Sequence, residues 1–365
     1  MKMRVAAAAV ASAALLLSAC AANESGGEAP GGDSGSGLTG TLTGVGASSM
    51  ASAQEVWVAN FQTTNPDVTV NYSPDGSGAG REAFAGGGAD FAGSDRAMTA
   101  EEVAPEALAG SRCAEGSTAM NLPVYISPIA IIFNVEGVDE LQLDAETLAK
   151  IFKGDITNWN DPAIADQNPD AELPDLQITA VHRADDSGTT ENFTDYLHVA
   201  APEVWDAEAD GEWPYEGGEA APQTSGMVDT VTNGTGTIGY ADASRAGELG
   251  VAKIKVGDDY VEYSPEAAAA IVEESPKVEE AGLSPNDQSI ELDRLAEGDV
   301  YPIVLVSYAI ACDSYADPNT AALVKSYLGY IASDEGQQAA VEAAGIAPLS
   351  AAVSEAVAGS IAAIQ

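Results

Sequence analysis

Residues 120–135 read MNLPVYISPIAIIFNV, the longest apolar stretch of the chain once its N-terminal leader is set aside. The run is rich in β-branched residues and is interrupted by Pro123 and Pro128. Proline has no N–H to give to a sheet ladder, so two of them argue against one continuous central strand. The expectation is an extended crossover that runs into a buried strand. A second stretch of this kind, YPIVLVSYAIAC at 301–312, lies near the C-terminus. Two extended crossovers describe a chain that leaves one lobe, builds another and returns.

Outward from these runs the pattern alternates strand and helix. Residues 41–47 read as a strand, 50–63 as a helix carrying Val56, Trp57 and Phe61 on neighbouring turns, and 68–72 as a strand. A short helix within 76–88 and a strand at 89–94 follow. Between the crossovers the expected elements are helix 144–152, strand 177–183, helix 188–199, helix 224–232 and strand 237–241. Helices 318–331 and 334–343 come after the return. Repeated βα units imply an α/β fold with a largely parallel sheet. GTGTIG at 234–239 matches a dinucleotide fingerprint literally, but Tyr240 and Ala241 continue it as a strand where that site needs a helix.

The ends of the chain bear on location. Residues 1–19 place Lys2 and Arg4 before an apolar run too short to span a bilayer, the pattern of a signal peptide. The sequence Leu17-Ser18-Ala19-Cys20 resembles the lipobox of bacterial lipoproteins, which implies lipidation of Cys20 and anchoring at the extracytoplasmic face of the cell membrane. The rest of 20–38 is Gly-, Ser- and Glu-rich and reads as a flexible linker. Its Gly-Asp-Ser-Gly around Ser34 resembles a protease motif, but both histidines, His182 and His198, follow it, against the chain order of that protease family. Loss of residues 1–19 moves the formal net charge from −43 to −45, which argues against a nucleic-acid partner. With Cys20 assigned to lipid, Cys113 and Cys312 are an even pair in an oxidising compartment, and a disulfide is expected. Two histidines and no CxxC spacing argue against a metal site, and no cofactor is expected.

The sharpest chemical signal is HRADDSGTTENF at 182–193. A strand ending in Arg183 runs into a helix that begins near Ser187 and Gly188, where free N–H groups favour an anion. The bland reading is a capped helix, with Ser187 as N-cap and Glu191 closing a capping box beside a solvated arginine. Three further junctions carry similar donors: Gly46-Ala47-Ser48-Ser49, Gly76-Ser77-Gly78 and Gly93-Ser94-Asp95. Each alone is weak, because Gly and Ser are ordinary turn formers.

GVGASS (44–49), DGSGAG (75–80), ADFAGSDRAM (89–98), LAKIFKGDITNWND (148–161), HRADDSGTTENF and GTGTIGYADA (234–243) together resemble the phosphate-binding lipoprotein of the bacterial high-affinity phosphate ABC importer. The resemblance covers residues from about 40 to 350. It implies a two-lobed periplasmic-binding-protein-like fold of type II with a hinge of two crossover strands. Lobe one would comprise 39–124 and 305–365, and lobe two 125–304. It implies a phosphate site from Ser48, Ser49, Ser77 and Asp95 of lobe one and Arg183, Ser187, Gly188 and Thr189 of lobe two. Asp185 would orient Arg183 from behind. Two departures stand out: Ser49 where relatives often have an aromatic residue, and Asp186 where they commonly have Gly. Asp95, which as a carboxylate only accepts, would require a ligand that brings a proton; its bland reading is a turn former or a partner for Arg96. The expected partners are inorganic phosphate, the permease subunits of the importer and the membrane through the lipid anchor, with the protein a monomer and not an enzyme. Two other classes remain open to these residues: a secreted phosphatase using the same oxyanion donors, and a surface adhesin or signalling protein on the same fold.

Overall fold

Buried and half-exposed side chains alternate along β1, Gly40–Gly46, as they do in any strand with one face on a core. The computed structural model that shows this describes residues 37–365. The expected signal peptide at 1–19, Cys20 and Ser34 therefore lie outside the described residues. After β1 come α1 (Ala51–Thr64), β2 (Val68–Ser73), α2 (Ser77–Ala85) and β3 (Phe91–Ser94), and then the long β4 (Ala119–Asn134). The middle of the chain holds β5 (Leu141–Leu143), α3 (Ala145–Lys153), α4 (Pro162–Ala165), β6 (Thr179–Arg183), α5 (Gly188–Ala200) and β7 (Glu219–Ala221). It continues with α6 (Gln223–Asn233), β8 (Thr237–Asp242), β9 (Gly250–Val256), β10 (Asp259–Val261) and α7 (Pro265–Glu274). The return is β11 (Val304–Cys312), followed by α8 (Pro318–Ile331), α9 (Asp334–Ala344) and α10 (Ala351–Ala363).

The strands join in the order β2-β1-β3-β11-β4-β8-β6-β7, with β9 branching from β4 to pair β5 and β10. Along that order the sheet is parallel only towards its ends, where βα units build β2-β1-β3 and β8-β6-β7, and β5 pairs β9 in parallel on the branch. In the middle β3-β11, β11-β4 and β4-β8 are antiparallel. The largely parallel sheet expected from the βα pattern is thus corrected: the outgoing and returning crossovers lie side by side, and such neighbours must run in opposite directions.

The prolines are the second correction. β4 is one continuous strand of 16 residues, buried along nearly its whole length. Pro128 pairs with Val304 at the end of the β11 ladder, and the β8 ladder begins at Ile129. Pro123 sits beside Val124, the extra residue where the β11 register shifts between Ser307 and Tyr308. Both imino nitrogens therefore fall where the ladder changes partner or register and a missing donor is tolerated.

On the first lobe the C-terminal helices close over α1. Trp57 Nε1 donates to Gly336 O at 2.7 Å, and Tyr327 OH to Gln54 Oε1 at 2.8 Å. Cys113 and Cys312 form a disulfide with Cα atoms 5.3 Å apart, tying the loop after β3 to the end of β11. Residues 284–290 do not keep to the second lobe. Gln288 N donates to Asn121 O at 3.0 Å, and Ser284 Oγ to Asp313 at 2.9 Å. No helix among the described residues is long and apolar enough to cross a membrane.

Candidate functional site

The loops after β1, β3 and β6 and the start of α2 meet between the lobes, at strand carboxyl ends and helix N-termini, where an α/β sheet leaves N–H groups free for a ligand. Ser48, Ser49, Ser77, Asp95, Arg183, Ser187 and Thr189 are all buried there. Asp95, only 3% exposed, is the hub. Ser49 Oγ donates to its Oδ1 at 2.7 Å, and Thr189 Oγ1, from the other lobe, to its Oδ2 at 3.0 Å. Its own N–H donates to Ser77 Oγ at 3.0 Å.

Gly188 shows how tight the meeting is. A Cβ there would lie 2.7 Å from both Ser77 Oγ and Asp95 Cβ, so only glycine lets the N-terminus of α5 touch the first lobe. Ser187 caps that helix, its Oγ accepting from Thr190 N at 3.2 Å, while Ser187 N donates to Gly211 O at 3.0 Å. Ser187 is thus the N-cap, but the capping box is not closed: the Ser187 N–H that Glu191 would accept is given to Gly211 O, and the Glu191 carboxylate pairs with Arg96. Nor is the arginine solvated, for Arg183 is 4% exposed.

Arg183 is fixed on two sides. Its Nε donates to Asp185 Oδ1 at 2.9 Å, its Nη2 pairs with Asp185 Oδ2, and the same Nη2 reaches Ser48 Oγ on the other lobe at 3.3 Å. Burial pushes the Asp185 carboxyl up, but the Arg183 guanidinium and the Gln223 N–H hold it below its ordinary value, so it stays charged. Burial dominates at Asp95 and raises its carboxyl, against the opposing pull of the Ser49, Ser307 and Thr189 hydroxyls and of Arg183. The alternative partner for Asp95 is excluded by geometry. Arg96 pairs with Glu102 at 2.6 Å and across the lobes with Glu191 at 3.0 Å. Burial, only partly offset by Arg96 and Arg81, pushes Glu191 up to about 7.

Asp186 enters this arrangement with its own partner, since Arg81 Nη2 of α2 lies 3.3 Å from its Oδ2. Its negative charge faces a cation and not the Asp95 hub.

Sequence reasoning missed several members of the site. Ser307 of β11 donates to Asp95 Oδ1 at 2.7 Å; its signal was a hydroxyl inside an apolar run. Thr224 N donates to Ser48 Oγ at 3.2 Å from the start of α6, and Tyr240 OH accepts from Arg183 N at 3.2 Å. Asn192 donates to Asp95 O at 2.6 Å and to Gly188 O at 2.9 Å, four residues back on its own helix. The i, i+4 spacing from Gly188 places it on the site-facing side of α5.

A family model described as a PBP superfamily domain matches residues 31–335. Phosphate-binding protein PstS 3 of Mycobacterium leprae is 38% identical over 296 residues, covering 79% of this chain and 78% of that protein. Phosphate-binding protein PstS 3 of Mycobacterium tuberculosis is 37% identical over 332 residues, 87% of each. Among solved structures, a phosphate binding protein from Stenotrophomonas maltophilia superposes with a TM-score of 0.67 at 20% identity, covering 88% of this chain and 94% of that one.

Proposed function

The chain belongs to the PBP superfamily, alongside the PstS phosphate-binding proteins, and from that premise we propose that it captures inorganic phosphate between its lobes and delivers it to an ABC-type phosphate permease. The observation that carries this reading is the meeting of Arg183 and the α5 helix end with Ser48, Ser77 and Asp95 in one buried cluster. A guanidinium, hydroxyls and a helix N-terminus converge in one buried cluster. Charge-assisted hydrogen bonds contribute about 1.5–3 kcal/mol each. Several of them sustain micromolar binding, about −8 kcal/mol, after the costs of association.

Asp95 supplies the selectivity. It accepts hydrogen bonds and gives none, so it rewards hydrogen phosphate or dihydrogen phosphate and penalises sulfate, which has no proton at neutral pH. The function is capture, not chemistry. Ser187 Oγ is engaged as a helix cap, and the His182 ring nitrogens face the backbone oxygens of Arg183 at 2.9 Å and Gly217 at 3.2 Å. With both ring nitrogens turned to carbonyls, His182 activates no hydroxyl nucleophile.

The lobes divide as 39–124 with 305–365 against 125–304, with residues 284–290 reaching back across that boundary. β4 and β11 are the hinge on which they close. A lipid on Cys20 and the linker to residue 38 hold the protein, as a monomer, at the outer face of the cell membrane within reach of its permease.

Calorimetry with phosphate and sulfate tests the reading. Wild type is expected to bind phosphate tightly and sulfate about 10⁴-fold more weakly. Asp95→Asn, whose amide donates, is expected to lose phosphate affinity and gain sulfate affinity. Equal wild-type affinities for the two anions would overturn the role of Asp95.

A further inference from the structure

Outside the anion ligands, a buried polar network surrounds Arg294, on the loop between α7 and β11. Arg294 is buried, yet its donors are engaged all round. Nε meets Asp195 Oδ2 at 2.8 Å, Nη1 meets the carbonyls of Pro302 and Val304 at 3.2 and 2.7 Å, and Nη2 meets Asn192 Oδ1 at 2.6 Å. One side chain thus joins the start of the return crossover β11 to helix α5, whose first turn carries the anion donors.

The contact with Asn192 has a directional consequence. Arginine can only donate, so the Asn192 carbonyl must face Arg294. Its two amide hydrogens must then point the other way, and there they meet Gly188 O of α5 and Asp95 O of the opposite lobe. Every strong hydrogen-bonding group of the Asn192 amide is spoken for, and one of those bonds crosses between the lobes. It lands on the backbone of the residue that reads the ligand's proton.

We infer that Asn192, oriented by Arg294, is a closure-determining residue: it clamps the main chain of Asp95 to α5 when the lobes meet and thereby sets how slowly the captured anion leaves. This rests on the phosphate-capture reading above. Neither Asn192 nor Arg294 touches the anion donors' own hydroxyls or guanidinium, so both act by position. A contact made only after the lobes come together governs dissociation much more than association.

The isosteric variant Asn192→Asp makes the test sharp. It keeps the size of the side chain and strengthens the pairing with Arg294, but it aims an acceptor at two carbonyl oxygens. Phosphate binding to purified Asn192→Asp is expected to weaken by about 100-fold, and to Asn192→Leu by about tenfold. In stopped-flow traces the loss is expected in the dissociation rate, with the association rate within about twofold of wild type. The melting temperature of the ligand-free Asn192→Asp protein should stay near wild type, because α5 keeps its tie to Arg294. Arg294→Lys, which offers one donor point in place of a fork, should speed dissociation in the same sense. Wild-type phosphate affinity in Asn192→Asp would overturn the inference. So would an affinity loss that appears in the association rate or simply follows a fall in the ligand-free melting temperature. A wild-type protein that binds no phosphate would instead overturn the capture reading itself, and the two failures are told apart by the wild-type titration.

Discussion

Asp186 shows how much one side chain's meaning depends on its neighbour across the cleft. In sequence it is an extra negative charge in an anion-binding turn. In the structure its backbone O accepts from Gly78 N at 3.3 Å and its carboxylate pairs with Arg81, both on the first lobe. It is therefore one more tie between the lobes, and with its side chain 43% exposed it is a weak, solvent-screened one. Asp186→Gly is expected to speed phosphate release by no more than about fivefold, with the difference vanishing in molar salt. Stopped-flow dissociation at low and high salt checks this, and a salt-independent effect would contradict it. At this scale the junction serines, Asp95 and Arg183 were legible, because small hydroxyls and glycines at strand ends announce an anion site. Ser307 and Asn192 were not. A lone polar residue in a strand or helix names no partner until another element is packed against it.

At the scale of elements, the junction between β4 and β8 carries a buried acid. Asp242 ends β8, accepts from Tyr125 OH of β4 at 2.8 Å and from Ser244 N at 3.0 Å, and is pushed by burial up to about 6, against the pull of the Ser244, Tyr125 and Ser127 hydrogen bonds. The folded protein therefore holds a proton here to higher pH than the unfolded chain does. The stabilisation is complete below the ordinary value of 3.8 and is lost as pH rises through about 6. Asp242→Asn cannot ionise, so its stability relative to wild type should improve between pH 4 and pH 8, by on the order of 2 kcal/mol. Chemical denaturation of both proteins at the two pH values measures it, and a constant difference would refute it. Helix and strand positions in the βα repeats were readable from periodicity and caps. α4, β5, β7, β9, β10, α7 and α10 were not anticipated. β5 and β10 are only three residues each, too short for a periodic signal. The continuity of β4 through its prolines depended on which strand lay opposite each one.

For the whole molecule, a formal charge of −43 surrounds a site built for an anion. Exposed carboxylates act through a screened field that fades over about 8 Å at physiological salt, whereas the donors inside act at hydrogen-bond distance without water between. Capture should be slowed by the exterior and affinity set by the interior. The phosphate association rate is accordingly expected to rise severalfold as salt goes from about 10 to about 200 mM, the range over which the screening length falls most. A rate that falls over this range would show instead that the local field of Arg183, Arg81 and Arg96 governs the approach. The sequence by itself determined the alternation of the βα elements, the two crossovers and the hydroxyl and glycine residues at the junctions, because each is written in local residue type and spacing. Only the tertiary structure decided which donors face one another, that the crossovers lie antiparallel, and that Arg294 orients Asn192 toward Asp95. Those contacts join residues about a hundred positions apart in the chain, as Asp95 and Asn192 are, and no local pattern encodes a partner at that separation.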